Sequence, residues 1–155
     1  MTIVEYQAMA TESAAKWLAN LMAHTPEEKL TWKAATGDTS DTRTILDMAA
    51  ECASANRAFA ALLRGETPKS SPHDYPPVAD GADAQKQVLD SARDLADTLR
   101  SCTDEVIGKT FETAFGPVPG SIVVSMGSGN MSYHIGQVAY IQRLYGDLDS
   151  YFVRG

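Results

Sequence analysis

The residues best suited to chemistry lie near the end of the chain. Asn130, His134 and Gln137 are spaced i, i+4 and i+7. At about 100° per residue they share one helix face, with His134 near its centre. Val123, Val138, Ile141 and Tyr145 make that same face apolar. A polar side chain left unpaired in an apolar interior costs roughly 1–3 kcal/mol. These three must therefore meet partners, water or an ion. One reading is a satisfied polar network that fixes helix register. The other is the floor of a metal or ligand site, because helical proteins build such sites from inward side chains on facing helices. Imidazole is a good ligand for zinc or nickel, whereas an amide oxygen is a poor one.

A facing partner is available earlier in the chain. Residues 42–64 carry an apolar stripe of Ile45, Met48, Ala49, Cys52, Ala55, Phe59 and Leu63. Glu51 flanks that stripe and Asn56 lies inside it. Either Arg43, Asp47 and Glu51 form a solvated charged ridge, or Glu51 turns inward to meet His134. In the second case carboxylate and imidazole are half of a metal site, or an acid–base couple.

Four long segments must position these groups. Ile3 to His24 has helical apolar spacing, with Tyr6, Ala10, Ala14, Trp17, Leu18 and Leu21 inward. Thr25, Pro26 and Glu28 then read as N-cap, first residue and capping-box acid of a short helix ending before Gly37. The second long helix starts from a cap at Ser40, Asp41 or Thr42 and runs to about Arg64, where Gly65 can end it. Residues 66–81 hold four of the seven prolines and form a loop. The third helix spans Ala82 to Ser101, with Val88, Leu89, Ala92, Leu95, Ala96 and Leu99 inward. Thr103 to Pro119 is irregular, with an extended stretch around Phe111. The fourth helix runs from Gly120 to Tyr145. Gly127 and Gly129 weaken it, which implies close approach by a neighbouring backbone or a cavity there. Four amphipathic helices with little strand give an all-α bundle in a single domain, residues 1–155.

Composition sets the wider limits. The 155 residues are 44% hydrophobic, enough for a core without disulfide or metal staples. Twenty acidic and 13 basic residues give a net charge of −7, which argues against nucleic-acid and anionic-membrane partners. No apolar run approaches the ~20 residues of a membrane span. The N-terminus lacks the basic and apolar regions of a signal peptide. Two cysteines are too few for a secreted framework, so the expected location is the cytoplasm. Cys52 reads as a small buried filler, and Cys102 has no visible activating partner. His24 is placed to cap the first helix, and His73 sits exposed in the proline-rich loop. Trp17 and Trp32 read as packing residues, and Tyr133 as pointing away from His134. No phosphate loop, Cys-x-x-Cys pair or serine elbow is present.

The stretch from Asn130 to Asp147 resembles the last helix of the DinB-like (DinB/YfiT) superfamily. The matching positions are His134, Gly136, Gln137, Tyr140, Ile141, Leu144 and Gly146. Thr42 to Asn56 is similar to the family's second helix, and Thr25 to Trp32 to its proline-led turn. The resemblance implies an up-down-down-up four-helix bundle, often dimeric. It implies a divalent metal, usually zinc or nickel, held by a second-helix histidine and a His-x-x-x-His pair in the last helix. The corresponding residues here are Glu51, Asn130 and His134, of which only His134 keeps the family residue. Glu51 and His134 are then the catalytic candidates. Glu51, Asn130 and His134 are the metal ligands, for zinc or nickel and less readily manganese, and Gln137 and Asn56 are binding residues. The implied activity is a metal-dependent hydrolase or thiol-dependent transferase acting on a small molecule between the second and fourth long helices. The alternative is a non-catalytic homodimeric bundle with a metal-free polar core site. A third reading is a metal-free acid–base site in which Glu51 and His134 share a proton.

Overall fold

Helix α1 (Ile3–Ala23) begins where the Thr2 hydroxyl accepts a bond from the Glu5 N–H at 3.2 Å. The Asp104 carboxylate accepts from the Ile3 and Val4 N–H groups at 3.3 and 3.2 Å. It satisfies two of the donors a helix start leaves free, and its charge suits the positive helix end. The computed structural model describes residues 1–33, 42–67, 75–113 and 116–152. His73, Ser40 and Asp41 lie outside these. The buried stripe of α1 runs through Val4, Ala8, Thr11, Ala15, Leu18 and Met22. Tyr6, expected inward, is 59% exposed instead. Small residues at positions 8, 11 and 15 let neighbouring helices approach closely, so the contact centres on them and not on the larger ring. At the far end the His24 Nδ1–H donates to Asn20 O at 2.8 Å, closing the helix as expected.

Helix α2 (Glu27–Leu30) is one turn long, and Pro26, not Thr25, precedes it as N-cap. The Thr25 hydroxyl is buried and donates to Leu21 O at 2.9 Å, accepting from Gln142 Nε2 at 3.1 Å. A buried hydroxyl is better served by two inward partners than by one exposed N–H.

Helix α3 (Ile45–Leu63) starts at a Thr44–Asp47 capping box. The Thr44 hydroxyl accepts the Asp47 N–H at 3.1 Å, and the Asp47 carboxylate accepts the Thr44 N–H at 2.9 Å. The cap is therefore later than the expected Ser40–Thr42, because only Thr44 has an acid three residues on that can return the bond. Gly65 ends the helix as expected, at φ +76°, and the Glu66 N–H returns to Ala61 O at 2.8 Å.

Helix α4 (Gly81–Ser101) is capped by Asp80, which accepts the Asp83 N–H at 2.8 Å. A short 3-10 turn (Asp104–Gly108) leads into strands β1 (Thr110–Thr113) and β2 (Gly116–Pro119). They pair antiparallel, Phe111 opposite Val118. Helix α5 (Gly120–Leu144) follows at once. Its first residue must be glycine, since a Cβ there would lie 1.9 Å from Val106 O.

The chain is mostly helical, with one two-stranded sheet among the described residues. Helices α1 and α3 each pack against both α4 and α5. One core cluster gathers Leu18, Leu21, Ile45, Met48, Cys52, Val88, Met131 and Val138. A second, at the other end, joins Val4, Leu95, Leu99, Val106 and Val124. Gly127 sits where α5 meets Leu95 and Asn56, so the close approach expected there is present. Gly129 faces open space. No helix among the described residues is long and apolar enough to cross a membrane.

Candidate functional site

His134 is carried by the inner face of α5, and its side chain is only 3% exposed. Gln137, one turn on, reaches back so that its Oε1 lies 2.7 Å from His134 Nδ1. An amide oxygen only accepts, so Nδ1 carries the proton and Nε2 is a bare acceptor. That Nε2 is buried and has no hydrogen-bond partner. It faces Glu51 Oε1 at 3.4 Å across the gap to α3. Glu51 is 19% exposed and forms an ion pair with Arg43. The Thr44–Asp47 box fixes the first turn of α3 and leaves Arg43 just ahead of it, within reach of Glu51. Burial holds the imidazole below its ordinary pKa of 6.5, and the nearby Arg43 cation pushes the same way. The Gln137 bond opposes them. The ring is therefore a neutral base near pH 7.

These side chains line an open cleft of about 510 Å³ between α3 and α5. Thr42, Arg43, Met48 and Glu51 form one side; Tyr133, His134, Gln137, Tyr140 and Ile141 form the other. Tyr133, expected to point away from His134, shares this cleft, and its ring stands edge-on to the imidazole at 5.2 Å. Tyr133 and Tyr140 are each 64% exposed. Sequence spacing missed both as cleft residues, and missed Arg43 as the partner of Glu51. The signal that could have found Arg43 is the capping box, which commits Asp47 to the helix start and so takes it out of the charged-ridge alternative.

Asn130 is not brought to this pair. Its amide Nδ2 donates to Cys52 Sγ at 3.8 Å, and it does not line the cleft. Asn56, expected as a binding residue, is fully buried and donates to Ser91 Oγ at 3.3 Å, also away from the cleft. Cys52 is a buried filler as expected, and burial pushes its thiol up to about 12. Of the three implied metal ligands, Glu51 and His134 face each other, while Asn130 bonds to Cys52. No three His, Cys, Asp or Glu side chains converge among the described residues. Arg43 already neutralises Glu51, so a divalent cation there would meet a like charge. The residues present do not fit a three-ligand metal centre. They form instead a chain of Arg43, Glu51, His134 and Gln137 with an unclaimed lone pair at its middle.

No protein-family model matches the chain, and no curated protein matches it.

Proposed function

We propose that this protein is an up-down-down-up four-helix bundle of the DinB-like type, whose α3–α5 cleft binds a small molecule and acts on it by metal-free proton transfer. Cross-helix contacts support the topology. Paired residues rise together between α3 and α4, as in Arg57–Gln87 and Arg64–Asp94. They rise together between α1 and α5, as in Gln7–Ser128 and the contact of Gln142 with Leu21. They run in opposition between α1 and α4, where Glu12 meets Arg100 and Glu27 of α2, just past the end of α1, meets Gly81 at the start of α4, and between α3 and α5 (Glu51–His134, Asn56–Met131).

The observation that carries the chemistry is the buried His134 Nε2 without a hydrogen-bond partner. Gln137 fixes the tautomer that presents this lone pair, and a substrate X–H pointed at it can lose its proton there. The imidazolium that forms is stabilised by Glu51 at 3.4 Å. Arg43 balances Glu51 and lies beside the negative charge left on the substrate atom.

The rival is a metal-dependent hydrolase or transferase at the same residues. Melting temperature in the presence of zinc or nickel separates them, because a ligand that binds the native state raises stability with concentration. The account expects no saturable rise that depends on His134. A rise abolished by His134→Gln would overturn it. The exposed α5 residues Ile122, Tyr133, Tyr140 and Leu144 favour a second reading, a non-catalytic homodimer joined along this face. A dimer in sedimentation that Tyr140→Asp dissolves, with no small-molecule binding by the monomer, would establish that reading.

A further inference from the structure

Helix α5 presents an outer face unlike the rest of the surface. Every exposed large hydrophobic side chain among the described residues lies on α1, on α5 or in the chain flanking them, and none lies on α3 or α4. From Gly120 to Gln142, α5 carries no Asp, Glu, Lys or Arg. The exposed side of α4, by contrast, carries Lys86, Asp90, Arg93, Asp94 and Asp97. Ile122, Gly129, Tyr133, Gly136 and Tyr140 are all exposed, and at about 100° per residue they share an arc of about 60°. The two tyrosine rings project from this arc. A Cβ at Gly129 or Gly136 would meet nothing within 4 Å, so each glycine is an open notch. Rings and notches repeat at the same interval of seven residues, about 10 Å along the axis.

That shared interval fits a second copy of the same helix. When two α5 helices lie antiparallel about a two-fold axis level with His134 and Ile135, Tyr140 of each copy comes opposite Gly129 of the other. The same axis sets Tyr133 opposite Gly136. Every ring then has a notch, which is the reciprocal contact an isologous pair requires. Charge favours the same arrangement. Each copy carries −7, and an uncharged face lets two of them touch without like charges meeting. Arg143, the first charged residue of α5, comes opposite the uncharged Met126. Antiparallel packing also sets the positive N-terminal end of one helix beside the negative C-terminal end of the other.

We infer that two copies of this chain pair antiparallel through α5, with Tyr133 and Tyr140 of each seated at Gly136 and Gly129 of the other. The inference rests on the face chosen for the homodimer reading above, and it holds whether or not the cleft is catalytic. Because both tyrosines also line the α3–α5 cleft, the second copy lies along the mouth of that cleft. The contact is one helix wide, less than the ~800 Å² per partner of a standard interface, so the dimer is weak, with a Kd on the order of 100 µM. Thermal melts at a few micromolar therefore read the monomer.

Sedimentation equilibrium up to about 1 mM, which spans that Kd, tests the pairing with two variants of identical composition. Tyr133→Gly with Gly136→Tyr exchanges a ring and a notch that the axis sets opposite each other, and should dimerise within about threefold of the wild type. Tyr133→Gly with Gly129→Tyr sets ring against ring at Tyr140, and should dimerise at least about tenfold more weakly. Circular dichroism checks that both variants keep their helix content. A nitroxide label leaves the face itself unchanged. Carried on Ser121→Cys in a Cys102→Ser background and mixed with ¹⁵N-labelled wild type, it should broaden the amides from Leu144 to Leu148 and spare those of Ser121 and Ile122. A wild type that stays monomeric throughout overturns this inference and the homodimer reading together. A dimer in which the two variants associate equally, or in which the label broadens Ser121 and Ile122 instead, overturns the register and leaves a homodimer on this face standing.

Discussion

Gln137 decides what His134 can do. By accepting from Nδ1 it leaves Nε2 as the free lone pair, and by sitting one turn away on the same helix it does so without a second element. The consequence for stability has a definite sign. The folded imidazole has a pKa below its ordinary 6.5, so below that pH the unfolded chain binds the proton more readily than the folded one. The contribution of His134 is then fully present above pH 6.5 and lost as pH falls through the lower folded value. Urea unfolding between pH 8 and 5 should show an acid loss that is smaller in His134→Gln than in the wild type. Equal slopes in the two proteins would contradict the burial assigned to this ring. The Glu51–His134 encounter was readable from sequence, because both residues flank or occupy apolar stripes. The fate of Asn130 was not. Helical spacing gives the face a side chain occupies but not its neighbour across the gap, and one turn before His134 that neighbour is Cys52.

At the scale of the elements, two glycines of α5 make opposite predictions. A Cβ on Gly127 would lie 2.4 Å from Leu95 Cδ2 and 3.2 Å from Asn56 Oδ1. Overpacking of this kind costs about 1–3 kcal/mol, more than the ~1 kcal/mol that alanine gains over glycine in a helix. Gly127→Ala should lower the melting temperature. Gly129 has nothing within 4 Å of that position, so Gly129→Ala should raise stability by up to about 1 kcal/mol. Thermal melts of the two variants check the pair; shifts of the same sign would contradict the packing described for this helix. The bounds of α4 and α5 and the Gly65 terminator could be read from sequence, since glycine, aspartate and helical period agree there. The start of α3 was misplaced, because Ser40, Asp41, Thr42 and Thr44 are all good caps by type. The acid three residues after Thr44, Asp47, is the signal that separates them. The inward face of α1 was misplaced at Tyr6 because a large ring weighs more in an apolar stripe than alanine does, although alanine allows the closer contact.

At the scale of the molecule, ties distant in sequence hold the frame in which the cleft forms. Arg100 grips Glu12 with two bonds of 2.9 and 2.8 Å, joining α4 to α1. The chain after α5 folds back on α1: Trp17 Nε1 donates to Ser150 O at 3.2 Å, Asn20 Nδ2 donates to Tyr151 O at 2.8 Å, and His24 stacks on Tyr151 at 4.1 Å. Trp17 thus packs, as expected, but on a segment that periodicity does not describe. The four-helix outline was available from amphipathic pattern alone, whereas these returns depend on single side chains more than 120 residues apart. They leave α3 and α5 facing each other with the Arg43–Glu51 ion pair and a neutral His134 imidazole between them. The most direct test of that central claim is the ¹⁵N spectrum of His134 in the intact protein at neutral pH, recorded before and after addition of zinc. The predicted result is a protonated Nδ1 and an unprotonated Nε2, with neither resonance moved by the metal. A saturable displacement of Nε2 by zinc, or a proton found on Nε2 at the outset, would contradict it.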